Sequence, residues 1–164
     1  MDNFKRRIYH GLDEMVTDMR AVMARRDLIR STMRGGLDAP FRERLMLVVT
    51  AVNGCRYCSY AHARQALSEG ISEEEIESLG DTAFHGSPTV EVPALLYAQH
   101  WAETDGEPDP AVRSSVADRY GEETLERIEI VLRMIRVGNL MGNTFDYLLY
   151  RLSFGRLGGA TPKP

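Results

Sequence analysis

Cys55 and Cys58 are the only cysteines in the chain of 164 residues, and they stand three positions apart. In a reducing compartment such a pair reads as redox or metal chemistry rather than as a structural staple. If Cys55 opens a helix, Cys58 falls on the same side one turn on, at a Cα separation that a disulfide accepts, so the pair can close and reopen. The helix start also presents unpaired N–H groups and a partial positive charge, which favour thiolate over thiol and lower the pKa from about 8.5. Arg56 adds a nearby cation. His62, four residues after Cys58, lies one turn further along the same face, where it can exchange a proton with the sulfur directly or through one water. Glu43, twelve positions before Cys55, is the one acid among the apolar residues leading into the pair. Folded back against the imidazole, its carboxylate would orient the ring and take up its charge.

The same residues have plainer readings. A lone C-x-x-C can be two buried small residues, a lone histidine is more often structural than catalytic, and a single acid is more often a surface or hydrogen-bonded group; the joint spacing is what favours chemistry. Cys55, Cys58, His62 and Glu43 are also four donors of types that zinc accepts, although most structural zinc sites draw their second ligand pair from a separate knuckle. Asn139 and Asn143 are polar on a largely apolar helix and read as buried hydrogen-bonding or interface residues rather than catalysts. His10, His85 and His100 are left as surface or structural.

The elements that must position these groups read as helices. Phe4, Ile8, Leu12, Met15, Met19, Val22 and Met23 recur every three to four positions, which predicts an amphipathic helix from about 3 to 27 within an N-terminal segment 1–30. After Gly35-Gly36, Asp38 as a cap and Pro40 in the first turn introduce a second helix through Val52. Its run Leu45-Met46-Leu47-Val48-Val49 also suits a buried strand, but Arg42-Glu43-Arg44 extends it to helical length. Asn53-Gly54 stops it in a left-handed turn and Cys55 opens a third helix to Gly70, the two forming a hairpin that carries the cysteine motif. Ser72 with Glu75 forms a capping box, Thr89 to Glu103 makes a further helix with Pro93 in its first turn, and Asp109-Pro110 starts another that stops near Gly121. From Glu122 to about Phe154 the helical period persists, giving a length close to 50 Å. That exceeds the width of so small a domain, so the sequence predicts a break, a bend or a second subunit, with Gly138 and Gly142 as the kink or close-contact point.

Composition sets the outer bounds. With 43% hydrophobic and 27% charged residues the chain is neither disordered nor fibrous, and residues 1–164 are expected to form one domain, with a core segment at 38–80 and a flexible Gly/Pro-rich tail at 155–164. A net charge of −4 argues against nucleic acid or an anionic membrane as partner. The longest apolar run is far shorter than a bilayer span and the N-terminus lacks a signal-peptide core, so a cytoplasmic location is expected.

The spacing E-x11-C-x2-C-x3-H, running Glu43, Cys55, Cys58, His62, resembles the signature of the AhpD-like family, which groups alkylhydroperoxidase D with carboxymuconolactone decarboxylase. Arg42-Glu43-Arg44-Leu45 and Tyr60-Ala61-His62 fit that pattern too, and the likeness covers about residues 38 to 80. The resemblance implies an all-α homo-oligomer, a trimer or hexamer, that reduces organic hydroperoxides with electrons from a dithiol partner such as a lipoylated or thioredoxin-like protein. It implies no cofactor, and Glu43, Cys55, Cys58 and His62 as the catalytic group. In one place the chain departs from the family's best-studied peroxidases: they have a second histidine immediately before the second cysteine, and here that position is Tyr57. Carboxymuconolactone decarboxylases proper generally lack the cysteine pair and match less well.

The expected reaction is a thiol peroxidase or disulfide reductase, in which Glu43 and His62 withdraw a proton from Cys58 and its thiolate attacks the peroxide. Cys55 then resolves the sulfenic acid to a disulfide, which an external dithiol reopens. The closeness of His62 favours Cys58 as the attacking sulfur, while the helix-terminus position of Cys55 argues the other way. The alternative is a non-enzymatic helical oligomer whose cysteines sense redox state or hold metal.

Overall fold

A computed structural model of the chain describes residues 4–159. Eight α-helices account for most of the described residues, with no strand among them. The central helix is α3 (Ala39–Asn53), with Pro40 in its first turn and Asp38 at its N-cap in extended conformation, though without a side-chain capping bond. From Phe41 to Thr50 every side chain but Arg42 is buried, so the helix is covered on all sides. That makes a helix, not a strand, of the Leu45–Val49 run. Gly54 ends it at φ 71°, its N–H donating to the Thr50 carbonyl at 2.8 Å, a left-handed stop that favours glycine.

Two residues later α4 (Arg56–Ser68) begins, folding back to complete the hairpin, and α5 (Glu73–Gly80) follows. The Ser72 hydroxyl accepts from the Glu75 N–H at 3.2 Å, giving one half of the capping box. The Glu75 carboxylate instead meets Arg44 of α3 at 2.7 Å, with Glu91 on the same guanidinium at 3.2 Å, a buried ion group that ties α5 and the next helix to the core. That helix, α6 (Val92–Glu103), starts three residues later than expected, because only near the helix start is the missing N–H of Pro93 harmless. In α7 (Pro110–Tyr120) the Asp109 carboxylate caps the Ala111 N–H at 2.8 Å, while the Asp109 N–H donates to the His100 ring at 3.1 Å.

The long helix α8 (Glu122–Leu152) packs on α3 and runs 31 residues, about 46 Å; of the expected break, bend or second subunit, the break does not occur. Its buried positions from Leu125 to Leu140 meet the core, and its last turns project past it, leaving Phe145, Leu148 and Leu152 exposed. Residues 4–11 were expected in the first helix but lie outside it. α1 (Leu12–Ala24) starts after extended Gly11, and α2 (Arg26–Ser31) continues it into a wide turn at 32–36. The preceding residues are held by α8: the Tyr9 N–H donates to Thr144 Oγ1 at 3.0 Å, Phe4 packs edge-on against Tyr147 at 5.4 Å, and Arg6 pairs with Asp146 at 2.7 Å. The Arg6 guanidinium also donates to the Gly158 carbonyl at 2.5 Å, joining the two ends of the described chain. Residues 1–3 of the expected N-terminal helix and 160–164 of the expected tail lie outside the described residues. Among the described residues, no helix is long and apolar enough to cross a membrane.

Candidate functional site

Cys55 is the N-cap of α4 and is extended at φ −81°, ψ 105°, so its side chain turns back over the helix start and accepts the Cys58 N–H at 3.3 Å. Both thiols are unbonded; Cys55 is 1% exposed and Cys58 half-buried. The Cys55 thiol is drawn down to about 6, first by the hydrogen bond from the Cys58 thiol and, against the penalty of burial, by the N–H groups of Cys58 and Tyr57 and the Asn139 amide. Cys58 is pushed well above its ordinary range by that same hydrogen bond and by burial. The hydrogen bond between the sulfurs and the N–H groups of the helix start thus favour the charged form of Cys55 over that of Cys58.

Glu43 and His62, nineteen residues apart in sequence, meet across the hairpin with Oε2 2.8 Å from Nδ1. Glu43 comes from α3 and is 8% exposed; His62 sits on α4 one turn after Cys58. A carboxylate on Nδ1 favours the proton there and leaves Nε2 as the basic nitrogen. The spacing thus brings together acid with base and cysteine with cysteine. Among the described residues no three His, Cys, Asp or Glu side chains are placed to hold a metal ion, which does not support the zinc reading of the four donors.

The α8 side of the site is less legible from sequence. Asn139, fully buried, donates to Thr50 Oγ1 at 3.0 Å, accepts from Asn53 Nδ2 at 3.2 Å, and its amide also favours the charged form of both sulfurs. Asn143 donates to the Asn53 carbonyl at 2.8 Å and to the Arg7 carbonyl at 3.0 Å. Both are the buried hydrogen-bonding residues that were expected; the reach of Asn139 to the cysteines was not foreseen. At Gly142 a Cβ would come within 2.8 Å of Cys55 Sγ, so the close-contact role of this glycine is toward the motif itself. Asp146, also fully buried, accepts from Arg6, from Arg56 at 2.6 Å and from the Tyr57 hydroxyl at 2.7 Å. Arg56, read from sequence as a cation for the thiol, instead spends its guanidinium on Asp146 and the Tyr57 hydroxyl. Asn139, Gly142, Asn143 and Asp146 stand at i, i+3, i+4 and i+7, so a polar and small stripe on an otherwise apolar helix was the available signal.

The family model of the carboxymuconolactone decarboxylase family matches residues 19–104, just over half of the chain. The chain belongs to that family. The match takes in α3, α4 and the Glu43, Cys55, Cys58 and His62 positions, and this family includes the AhpD-like proteins. No curated protein and no solved structure matches the chain. The carboxymuconolactone decarboxylase match ends at residue 104, so the stripe of α8 that closes over the cysteines lies beyond it.

Proposed function

We propose that the protein is a cysteine-based peroxidase of the alkyl hydroperoxide reductase type, a thiol–disulfide oxidoreductase that works without a cofactor. The observation that carries this reading is the Glu43–His62 pair, at 2.8 Å, standing one turn beyond a dithiol in which Cys55 Sγ accepts the Cys58 N–H at the helix start. In the resting reduced state negative charge sits on Cys55 and the Cys58 thiol donates to it. Passing that proton to Nε2 of His62 leaves a thiolate on Cys58, the less buried sulfur and the one nearer the base, and makes the ring an imidazolium. The Cys58 thiolate attacks the terminal peroxide oxygen, the O–O bond breaks, and the leaving alkoxide takes a proton from the imidazolium to become the alcohol. Cys58 is then a sulfenic acid. The Cys55 thiolate attacks its sulfur, the S–O bond breaks, the leaving hydroxide takes a proton from solvent to become water, and the disulfide has formed; a dithiol reductant, a lipoylated or thioredoxin-like protein, returns two electrons and two protons.

In this reading the working unit is a homo-oligomer in the cytoplasm. The exposed apolar residues of α1 and the end of α8, such as Leu12, Met23, Leu148 and Leu152, support association. The deciding experiment is steady-state consumption of an organic hydroperoxide with dithiothreitol as reductant. Wild type should turn over, Cys58→Ser should lose the activity, and Cys55→Ser should stop at a sulfenic acid that dimedone traps. Sulfenic acid formation in Cys58→Ser would exchange the roles of the two sulfurs. A disulfide that forms reversibly without turnover would make the protein a redox sensor instead.

A further inference from the structure

An open cleft of about 940 Å³ lies at the start of α4, walled by the first and last described segments of the chain, with Gly54 and Arg56, the two neighbours of Cys55, on its lining. Its size is that of a small-molecule site. Lys5, Arg6, Arg56 and Arg156 line it and, among the described residues, no acid does, in a chain whose net charge is −4. Arg6 and Arg56 share one carboxylate, Asp146, buried behind the wall. Lys5 and Arg156 make no ion pair among the described residues, so the described wall of the cleft carries more cationic than anionic groups. Phe4, Leu149, Tyr150 and Leu157 add apolar surface among glycines, with the Phe4 and Tyr150 rings 6.0 Å apart and the Arg6 guanidinium stacked 4.5 Å over the Phe4 ring.

We propose that this cleft binds an organic anion, a carboxylate or phosphate carried on a compact apolar body. Unpaired cations beside aromatic and aliphatic walls suit a ligand with one charged end and one hydrophobic end, because each half of such a ligand is desolvated against its own kind of surface. Guanidinium groups offer paired N–H donors to either oxyanion. The concave shape separates this surface from a flat basic face for nucleic acid or membrane.

Titration calorimetry on the reduced full-length protein tests the proposal without any sulfur chemistry, so its outcome is independent of the peroxidase reading. The probes are 4-isopropylbenzoate, its neutral amide 4-isopropylbenzamide, and inorganic phosphate. The benzoate should bind saturably, the amide about tenfold more weakly, and phosphate more weakly than the benzoate. The double variant Lys5→Gln, Arg156→Gln changes two exposed side chains outside the thiol site and should lower benzoate affinity by about tenfold with an unchanged helical spectrum. Equal binding of acid and amide, or undiminished binding by the double variant, would overturn the anion site. Phosphate binding as tightly as the benzoate would overturn the apolar half of the ligand, and absence of saturable binding by all three probes would overturn the site altogether.

Discussion

The opposite shifts of the Cys55 and Cys58 thiols have a thermodynamic signature. The Cys55 thiol is held at about 6 against an ordinary 9.0, so between those values the unfolded chain binds a proton that the folded chain has released. Stability contributed by this thiolate is full above about pH 9 and is lost as pH falls through 6. Cys58 is raised, so above pH 9 the unfolded chain releases a proton that the folded chain keeps, and stability falls again. Urea unfolding of the reduced protein, compared with Cys55→Ser,Cys58→Ser, should therefore show a difference that peaks near pH 9; a difference flat from pH 6 to 9 would remove the thiolate from Cys55. The Glu43–His62 contact makes a kinetic prediction. Glu43→Gln keeps volume and hydrogen-bonding reach but removes the charge that stabilises the imidazolium, so peroxide turnover should fall by roughly 10²–10⁴, as it should in His62→Ala. If the two form one path, the double variant should lose little more than the worse single one. Multiplying losses would mean two independent contributions.

Among the elements, α8 decides how tightly the motif is held. Gly142 faces the Cys55 sulfur and a Tyr57 ring carbon, whereas a Cβ at Gly138 would meet nothing within 4 Å. Both glycines are interior to the helix, so alanine at either gains roughly 0.5–1 kcal/mol of backbone preference. At Gly138 that gain should appear as added stability. At Gly142 the new methyl must displace the sulfur or the helix, an overpacking cost of about 1–3 kcal/mol, so Gly142→Ala should be the less stable of the two and should close its disulfide more slowly. Denaturation curves with a thiol-oxidation time course check both. Equal behaviour of the two variants would mean that α8 yields freely at the site.

Across the whole molecule, apolar surface remains after the core is closed. α1 buries none of its residues completely, with Leu12 and Met23 among its exposed side chains, and the last turns of α8 leave Leu148 and Leu152 in solvent. Covering these faces with further copies would remove them from water at about 25 cal/mol per Å². Sedimentation at micromolar concentration should give a species larger than the 18.5 kDa chain, and Leu148→Glu with Leu152→Glu should shift it toward the monomer. A wild-type monomer under those conditions would contradict the association.

The amino-acid sequence by itself determined the helical class and the ends of most helices, because Pro40, Gly54, Ser72, Asp109 and Gly121 act on the backbone within a turn of where they stand. It also paired the groups of the α3–α4 hairpin, since a two-residue link between helices leaves little freedom in what Glu43 and His62 can face. Contacts between distant segments were decided only by the tertiary structure. Phe4 and Ile8 have helical spacing, yet residues 4–11 lie outside the helices, because Arg6, Tyr9 and Phe4 find partners on α8 more than 130 positions away. The same holds for Arg56, a local cation in sequence but bound to Asp146 in space, and for Asn139 and Gly142, which reach the cysteines only because α8 crosses the start of α4. Local signals fix backbone geometry over a few residues, whereas the choice of a partner for a charge or an amide depends on which helix faces overlap once the apolar core has closed.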